Sequence, residues 1–139
     1  MYRNNPRYWG RAGAGIIFFC GNKVLLVLRS DQVTEPLTWG IPGGSILSES
    51  FHQSETSVEA DLKEDVVWRG ALKETKEELG GLPDLPSNLQ IFDKAVFKDG
   101  GFSYTTFFVK ITKDQKKNWN ILLNWENDEF KWFPVDRRP

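Results

Sequence analysis

The stretch Lys73-Glu74-Thr75-Lys76-Glu77-Glu78-Leu79-Gly80 places three glutamates within five residues. The Gly80-Gly81 pair that ends it, followed by Pro83, is typical of the C-terminus of a helix. At about 100° per residue, one helical stripe collects Trp68, Leu72, Thr75 and Leu79. We therefore predict a helix that packs this stripe on the core and presents its glutamates on an adjoining face.

The glutamate cluster is locally unfavourable. Like charges three or four residues apart on a helix cost about 0.2–0.5 kcal/mol per pair. Carboxylates in a last turn also meet the negative end of the helix dipole, at about 0.3–1 kcal/mol each. A hard divalent cation, Mg²⁺ or Mn²⁺, would reverse this cost, because it binds clustered carboxylate oxygens. The alternative is a solvated acidic face beside Lys73 and Lys76.

A second feature lies upstream, where Pro42-Gly43-Gly44 follows Trp39-Gly40-Ile41. We interpret it as the end of a strand followed by glycines. Because glycine has no side chain, main-chain carbonyls there can approach a ligand or an ion closely.

These two segments together resemble the Nudix hydrolase family, whose signature runs from a Gly through a Glu to Arg-Glu-apolar-x-Glu-Glu-x-Gly on a helix. Gly44 matches the first Gly, and residues 73–80 match the second half. The resemblance implies an α/β fold of the Nudix type, an α/β/α sandwich in which the catalytic helix packs on a mixed β-sheet. We expect one domain over residues 1–139.

The chain departs from the signature in several places. Lys73 replaces the Arg of the family, so the planar fork of a guanidinium is lost. Thr75 occupies an apolar position, and Asp65 falls where the family has its first Glu. About fifteen extra residues make an insertion around 45–65, interpreted as a lid, a partner contact or a tolerated surface insertion. The resemblance also leads us to expect that the family's C-terminal helix is absent or cut off.

The insertion also carries local helix signals. Thr56 followed by Glu59 fits a capping box, which predicts a helical turn or two before the main helix. Asp61 with Glu64, or Asp65 itself, is an alternative N-cap of the main helix.

We predict that most of the remaining chain forms strands joined by turns. Strands are predicted over residues 12–20, 23–29, 89–97 and 102–112, with hairpin turns at Gly21-Asn22 and at Lys98-Asp99-Gly100-Gly101. The strand from 102 is apolar on both faces, so we place it centrally in the sheet. Residues 113–117 are predicted as a charged loop, and 124–134 as an acidic loop leading into an aromatic strand.

Composition excludes other kinds of site. A net charge of −1 gives no overall attraction to nucleic acid. The single Cys20 and the single His52 exclude an internal disulfide and paired-histidine zinc sites, so carboxylates must carry any acid–base chemistry. No apolar run approaches the ~18 residues of a membrane span, and no signal peptide opens the chain, so we expect a cytoplasmic location and no membrane partner.

The resemblance implies hydrolysis of a diphosphate bond in a nucleoside diphosphate derivative, with Mg²⁺ or Mn²⁺. It implies that Glu77 and Glu78 are the main ligands, with the Gly44 carbonyl, and that Glu74 is a ligand or the general base. It also implies that Lys73 orients Glu77.

Four further residues are candidate substrate contacts: Arg29, Trp39, Glu126 and Glu129. For each, a structural role remains open, as surface charge or, for Trp39, as core packing. The expected partner is a small-molecule nucleotide rather than nucleic acid, and the sequence leaves a homodimer open. A catalytically weak nucleotide- or partner-binding module and an RNA 5′-end pyrophosphohydrolase remain alternatives.

Overall fold

The computed structural model describes residues 12–46, 64–83 and 89–137. The first hairpin joins β1 (Ala12–Cys20) to β2 (Lys23–Arg29). Its turn uses Gly21 at a φ of +63°, a conformation that glycine adopts without steric cost. Both strands therefore have the bounds that the sequence predicts.

The remaining elements follow along the chain. They are β3 (Trp39–Gly40), β4 (Gly43–Ser45), α1 (Glu64–Leu79), β5 (Gln90–Asp99), β6 (Phe102–Lys110), α2 (Lys113–Lys117), β7 (Asn127–Pro134) and a 3-10 helix (Val135–Arg137).

The strands form one mixed sheet with the order β3-β2-β1-β6-β5, in which β4 also pairs with β1 and β7 with β2. The pairing of β1 with β6 is parallel, and every other pairing of the described strands is antiparallel. The predicted mixed sheet is confirmed. The central position of β6 is also confirmed, because β6 lies between β1 and β5.

The core lies between β1, β6 and α1. Ile16 and Phe18 on β1 and Phe107 on β6 have no exposed surface. The helix packs its predicted stripe here: Leu79 is fully buried, and the ring of Trp68 meets Phe107 edge-on at 5.0 Å between centroids. Burying four or five such side chains stabilises the helix by roughly 1.5–3 kcal/mol each, far more than its acidic cluster costs.

One predicted loop is wrong. Residues 113–117 form α2 because a capping box starts it, in which Thr112 Oγ1 accepts from the Gln115 amide and Gln115 Oε1 accepts from the Thr112 amide. The lysines that suggested a loop occupy the exposed side and the last turn of this helix, where they complement its dipole.

Two expectations concern residues outside the described ranges. The Thr56–Glu59 capping box and most of the 45–65 insertion lie there. Within the described ranges, no helix has the length and apolarity that crossing a bilayer requires.

The segment that precedes β7 closes the C-terminus of α1. The Leu122 amide donates to the Leu79 carbonyl at 2.8 Å, and the Asn124 amide donates to the Glu78 carbonyl at 3.1 Å. These bonds satisfy carbonyls that the helix leaves without a partner. Gly80, at a φ of +76°, turns the chain, and a Cβ on it would lie 2.7 Å from the Leu122 carbonyl oxygen.

We expect Gly80→Ala to lower the free energy of unfolding by about 3 kcal/mol, because it adds a steric clash to left-handed backbone strain. Gly100→Ala is the matched control, since Gly100 has a φ of +61° with nothing within 4 Å of its Cβ position. It should lose only the ~1–2 kcal/mol of strain. Urea unfolding of both variants checks this, and equal losses would contradict the role of the Leu122 contact.

Candidate active site

The two glycines of β4 lie directly against the acidic face of α1. A Cβ built on Gly44 would lie 2.5 Å from Glu74 Oε1, and one on Gly43 would lie 2.5 Å from the Ala14 carbonyl oxygen. A side chain at Gly43 would clash with the backbone of β1, and one at Gly44 would displace the Glu74 carboxylate. The structure therefore brings the Gly44 backbone and the Glu74 carboxylate together, as the sequence motif implies.

Glu78 is the most deeply placed member of the cluster, with 6% of its surface exposed. The Asn127 side-chain amide donates to Glu78 Oε1 at 3.2 Å, and the Gly43 amide also donates to this carboxylate. Asn127 sits at a register shift where β7 pairs with Leu28 and Arg29 of β2. An irregularity of this kind redirects a side chain, here toward α1.

Glu126 reaches the cluster from the segment between α2 and β7. Its amide donates to Asn124 Oδ1 and its Oε1 accepts from Asn124 Nδ2, both at 3.0 Å. Its carbonyl oxygen accepts from the buried Ser30 amide at 2.9 Å. Because Asn124 also caps α1, the same short segment closes the helix and holds Glu126 near Glu74 and Glu78.

Burial and mutual repulsion raise the pKa values of two of these carboxyls. Burial is the largest cause for Glu78, whose pKa rises to about 7, with the charge of Glu126 next and the hydrogen bonds from Asn127 and Gly43 opposing it. The pKa of Glu74 is raised by burial, then by Glu77 and Glu126, while Lys73 lowers it. The cluster is thus short of positive charge.

Tyr104 adds a hydroxyl that the sequence did not single out. Its oxygen lies 2.6 Å from where a Cβ added to Gly15 would stand, and at the same distance from a Cβ added to Gly43. The hydroxyl therefore packs where β1 and β4 meet. Burial, followed by the charges of Glu78 and Glu74, raises the Tyr104 pKa to about 12. Tyr104 is therefore a neutral hydrogen-bond donor beside the carboxylates at physiological pH.

The other candidate substrate contacts occupy different places. Arg29 Nε donates to the Thr34 carbonyl at 2.7 Å, and its charge lowers the Tyr104 pKa, which puts it near the cluster. Trp39 packs edge-on against Phe133 at 5.0 Å between ring centroids. Glu129 is exposed on β7, in register with Leu28, and it does not contribute to the raised pKa values of the cluster.

Lys73 and Asp65, which replace the Arg and the first Glu of the family signature, are both exposed. Lys73 forms no ion pair with Glu77, and its charge acts on Glu74 instead. Asp65 pairs with Arg69 at 3.9 Å on the same helix. Asp65 lies nine positions before Glu74, about 13 Å along the helix axis, so Asp65 is remote from the cluster.

Sequence reasoning missed Tyr104, Asn127 and the Gly43 amide. Asn127 adjoins Glu126, which was a candidate, but nothing in the sequence announces the register shift that turns Asn127 inward. Tyr104 lies in a strand whose alternating aromatics do not distinguish it from its neighbours. Both depend on pairing between strands far apart in the chain.

The site suits a hard divalent ion by its chemistry. Its donors are carboxylate and carbonyl oxygens, which Mg²⁺ and Mn²⁺ prefer, and a buried carboxylate with a raised pKa is what a nearby cation would stabilise. Among the described residues, however, no three acidic, histidine or cysteine side chains already converge as a complete ligand set. Backbone carbonyls and water would have to supply the remaining ligands, as they do for Mg²⁺ in many sites.

Comparisons with known proteins agree with this fold. The family model described as the NUDIX domain matches residues 9–138. No curated protein sequence matches the chain significantly. Among solved structures of similar fold, an Ap4A hydrolase from C. elegans in a binary complex has a TM-score of 0.57 and 21% identity, covering 90% of this chain and 80% of its own.

Two further structures are comparable. A MutT NUDIX hydrolase from Burkholderia pseudomallei has a TM-score of 0.58 and 20% identity, covering 93% of this chain and 86% of its own. An ADP-ribose pyrophosphatase from Streptococcus suis has a TM-score of 0.53 and 17% identity, covering 94% and 78%. At these identities the likeness establishes a shared fold.

The raised pKa of Glu78 predicts how stability depends on pH in metal-free buffer. Between its ordinary value of 4.5 and about 7, the folded state keeps a proton that the unfolded chain has released. The stability from this group is complete below pH 4.5 and is lost as the pH rises through 7. We expect the free energy of unfolding to fall by up to about 3 kcal/mol across this window.

Glu78→Gln should flatten most of that slope, because its amide oxygen still accepts from Asn127 but carries no charge. Urea unfolding at several pH values with EDTA measures the slope for both proteins. The pKa of Glu74 is also raised, and Glu74 is present in both proteins. The difference between the two slopes therefore measures the contribution of Glu78. Identical slopes would contradict the burial of a charged Glu78.

Proposed function

This chain belongs to the Nudix family, and on that basis we propose that it hydrolyses a diphosphate bond in a nucleoside diphosphate derivative with Mg²⁺ or Mn²⁺. The observation that carries the proposal is the buried carboxylate of Glu78, which lies near Glu74 and Glu126 and has only neutral hydrogen-bond donors among the described residues. A structural role alone would not favour several carboxylates around one buried one.

We assign the ion to Glu78, Glu77 and the Gly44 carbonyl. Glu78 is held in place by Asn127 and Gly43, so it keeps its orientation whether or not an ion is bound. Glu77 neighbours Glu74 on the exposed side of α1. When bound, the ion neutralises the negative charge of the diphosphate, polarises its phosphoryl oxygens and makes an attacking water more acidic.

The proton of that water goes to Glu74 in our assignment. No hydrogen-bond donor among the described residues engages the Glu74 carboxylate, which lies against the Gly44 backbone. It is therefore free to accept a proton, which is the task of a general base. Lys73 tunes Glu74 through its charge rather than orienting Glu77 through an ion pair.

The substrate side is assigned to Arg29 and Tyr104. Arg29 lies close enough to Tyr104 for its charge to lower the Tyr104 pKa, and an arginine suits phosphate oxygens. The Tyr104 hydroxyl donates without adding charge. The neighbouring structures include an Ap4A hydrolase and an ADP-ribose pyrophosphatase, which makes those two nucleotides the first substrates to assay.

Two glutamine variants separate the ligand from the base. Glu78→Gln should lower kcat at least 100-fold and abolish the rise in Tm that Mg²⁺ causes, because it removes an ion ligand. Glu74→Gln should lower kcat by a similar factor, as expected on loss of a general base, while keeping the Mg²⁺-induced rise in Tm. Turnover of a nucleotide panel and differential scanning fluorimetry supply the two measurements.

Asp136→Asn is the control, since Asp136 is exposed in the C-terminal 3-10 helix, and it should change neither measurement. Full turnover in the Glu78→Gln variant would remove the metal-ligand assignment. Loss of the Mg²⁺ effect in the Glu74→Gln variant would make Glu74 a ligand rather than the base.

Metal binding should also depend on pH in a defined direction. The ion needs charged Glu78, whose pKa is about 7 without metal, so binding releases a proton below that pH. We expect a given Mg²⁺ concentration to raise the Tm more at pH 8 than at pH 6. An equal rise at both pH values would place the ion away from Glu78.

A second candidate function is a nucleotide-binding module without turnover. Two observations favour it: the absence of a complete acidic ligand set in the described part of the chain, and the lysine at position 73. The nucleotide panel decides between the two functions. Nucleotide binding at the acidic cluster with neither turnover nor dependence on divalent ions would select the module and exclude the hydrolase.

A further inference from the structure

A second pocket lies at the opposite end of β1 from the glycines of β4. It encloses about 850 Å³ between the first hairpin, α2, the segment after α2 and β7. This volume is in the range of small-molecule sites. We name it the basic pocket after its four lysines, Lys23, Lys113, Lys116 and Lys117.

The charged residues in the described part of the pocket lining are all lysines. The whole chain has 18 basic and 19 acidic residues, yet none of the described lining residues is an aspartate or a glutamate. Lys23 projects from the hairpin, and the other three come from one turn-and-a-half of α2. Four ammonium groups around one cavity repel each other, and a multivalent anion relieves that repulsion.

The floor of the pocket is aromatic and already ordered. Trp119 is 8% exposed and packs edge-on against Phe18 of the core at 4.9 Å between centroids. The Lys116 ammonium lies 4.8 Å from the centroid of the Trp132 ring, which fixes both side chains. Phe130 beside them is 39% exposed, a large apolar face that water solvates poorly.

We propose that the basic pocket binds a small polyphosphate anion, with the phosphates on the lysines and, where the ligand is a nucleotide, the base on the exposed face of Phe130. The charges select a phosphate chain, because each phosphate accepts several charge-assisted hydrogen bonds from ammonium groups. The aromatic floor selects the nucleoside form over inorganic polyphosphate, because a base stacks on an aromatic ring.

The basic pocket is separate from the acidic cluster. Gly15 pairs with Gly43 in the first half of β1, and Cys20 lines the basic pocket at the end of this strand. The five-residue step from Gly15 to Cys20 spans about 16 Å of strand. Binding here requires no divalent ion, since the lysines supply the positive charge. The proposal therefore does not depend on the hydrolase assignment.

Isothermal titration calorimetry in EDTA tests the proposal, with ATP and with inorganic tripolyphosphate as the two probes. Without metal, the acidic cluster repels both probes, so binding reports the basic pocket. We expect both to bind, with ATP at least threefold tighter than tripolyphosphate because of its base. Raising the salt concentration should weaken both interactions.

The variant Lys113→Gln/Lys116→Gln should weaken both probes at least tenfold, since it removes two of the four charges. Lys98→Gln, on the exposed β5–β6 hairpin, removes a lysine charge away from the pocket and is the control; it should bind as the wild type does. Phe130→Ala should remove the preference for ATP and leave tripolyphosphate binding unchanged. Circular dichroism confirms that each variant is folded.

Three results would overturn the proposal. They are no binding of either probe in EDTA, equal binding by the double variant and the wild type, and tighter binding by Glu78→Gln, which would place the anion at the acidic cluster because one negative charge fewer repels it there. Equal affinity for the two probes would overturn the assignment of the base to Phe130. A failure of nucleotide turnover leaves these measurements unaffected, so the two proposals fail separately.

Discussion

The buried carboxylate of Glu78 is the constraint on which the site depends. It is held by a side-chain amide from β7 and a backbone amide from β4, two strands that pair with different neighbours in the sheet. Desolvation makes its negative charge costly, and the neighbouring glutamates increase that cost. The fold supports this arrangement through the apolar stripe of α1, whose burial outweighs the repulsion on the adjoining face.

The segment between α2 and β7 connects the stability of the helix to the chemistry of the site. It caps the last carbonyls of α1, supplies Glu126 and delivers the chain to Asn127. Because one short stretch performs all three tasks, its geometry cannot vary without moving a carboxylate. The same stretch begins at Trp119, in the lining of the basic pocket. A single segment of chain therefore connects the acidic cluster to the basic pocket.

The fold was predictable to a large extent because its signals are local. Alternating apolar residues, Gly-Gly turns and a helical stripe each act over a few residues, and they located both strands of the first hairpin, the helix C-terminus and the central β6. The prediction failed at residues 113–117, where charge suggested a loop and the Thr112–Gln115 capping box made a helix. There a specific pair of hydrogen bonds outweighed a compositional tendency.

The sequence by itself determined that three glutamates would share one face of a helix and that the backbone of a Gly-Gly segment could approach a ligand or an ion closely. Both follow from the helical period and from the missing Cβ of glycine. Only the tertiary structure decided which carboxylate is buried, that Tyr104 and Asn127 join the cluster, that Glu129 does not, and that four lysines surround an aromatic floor. Those outcomes depend on register between distant strands, which no local pattern encodes.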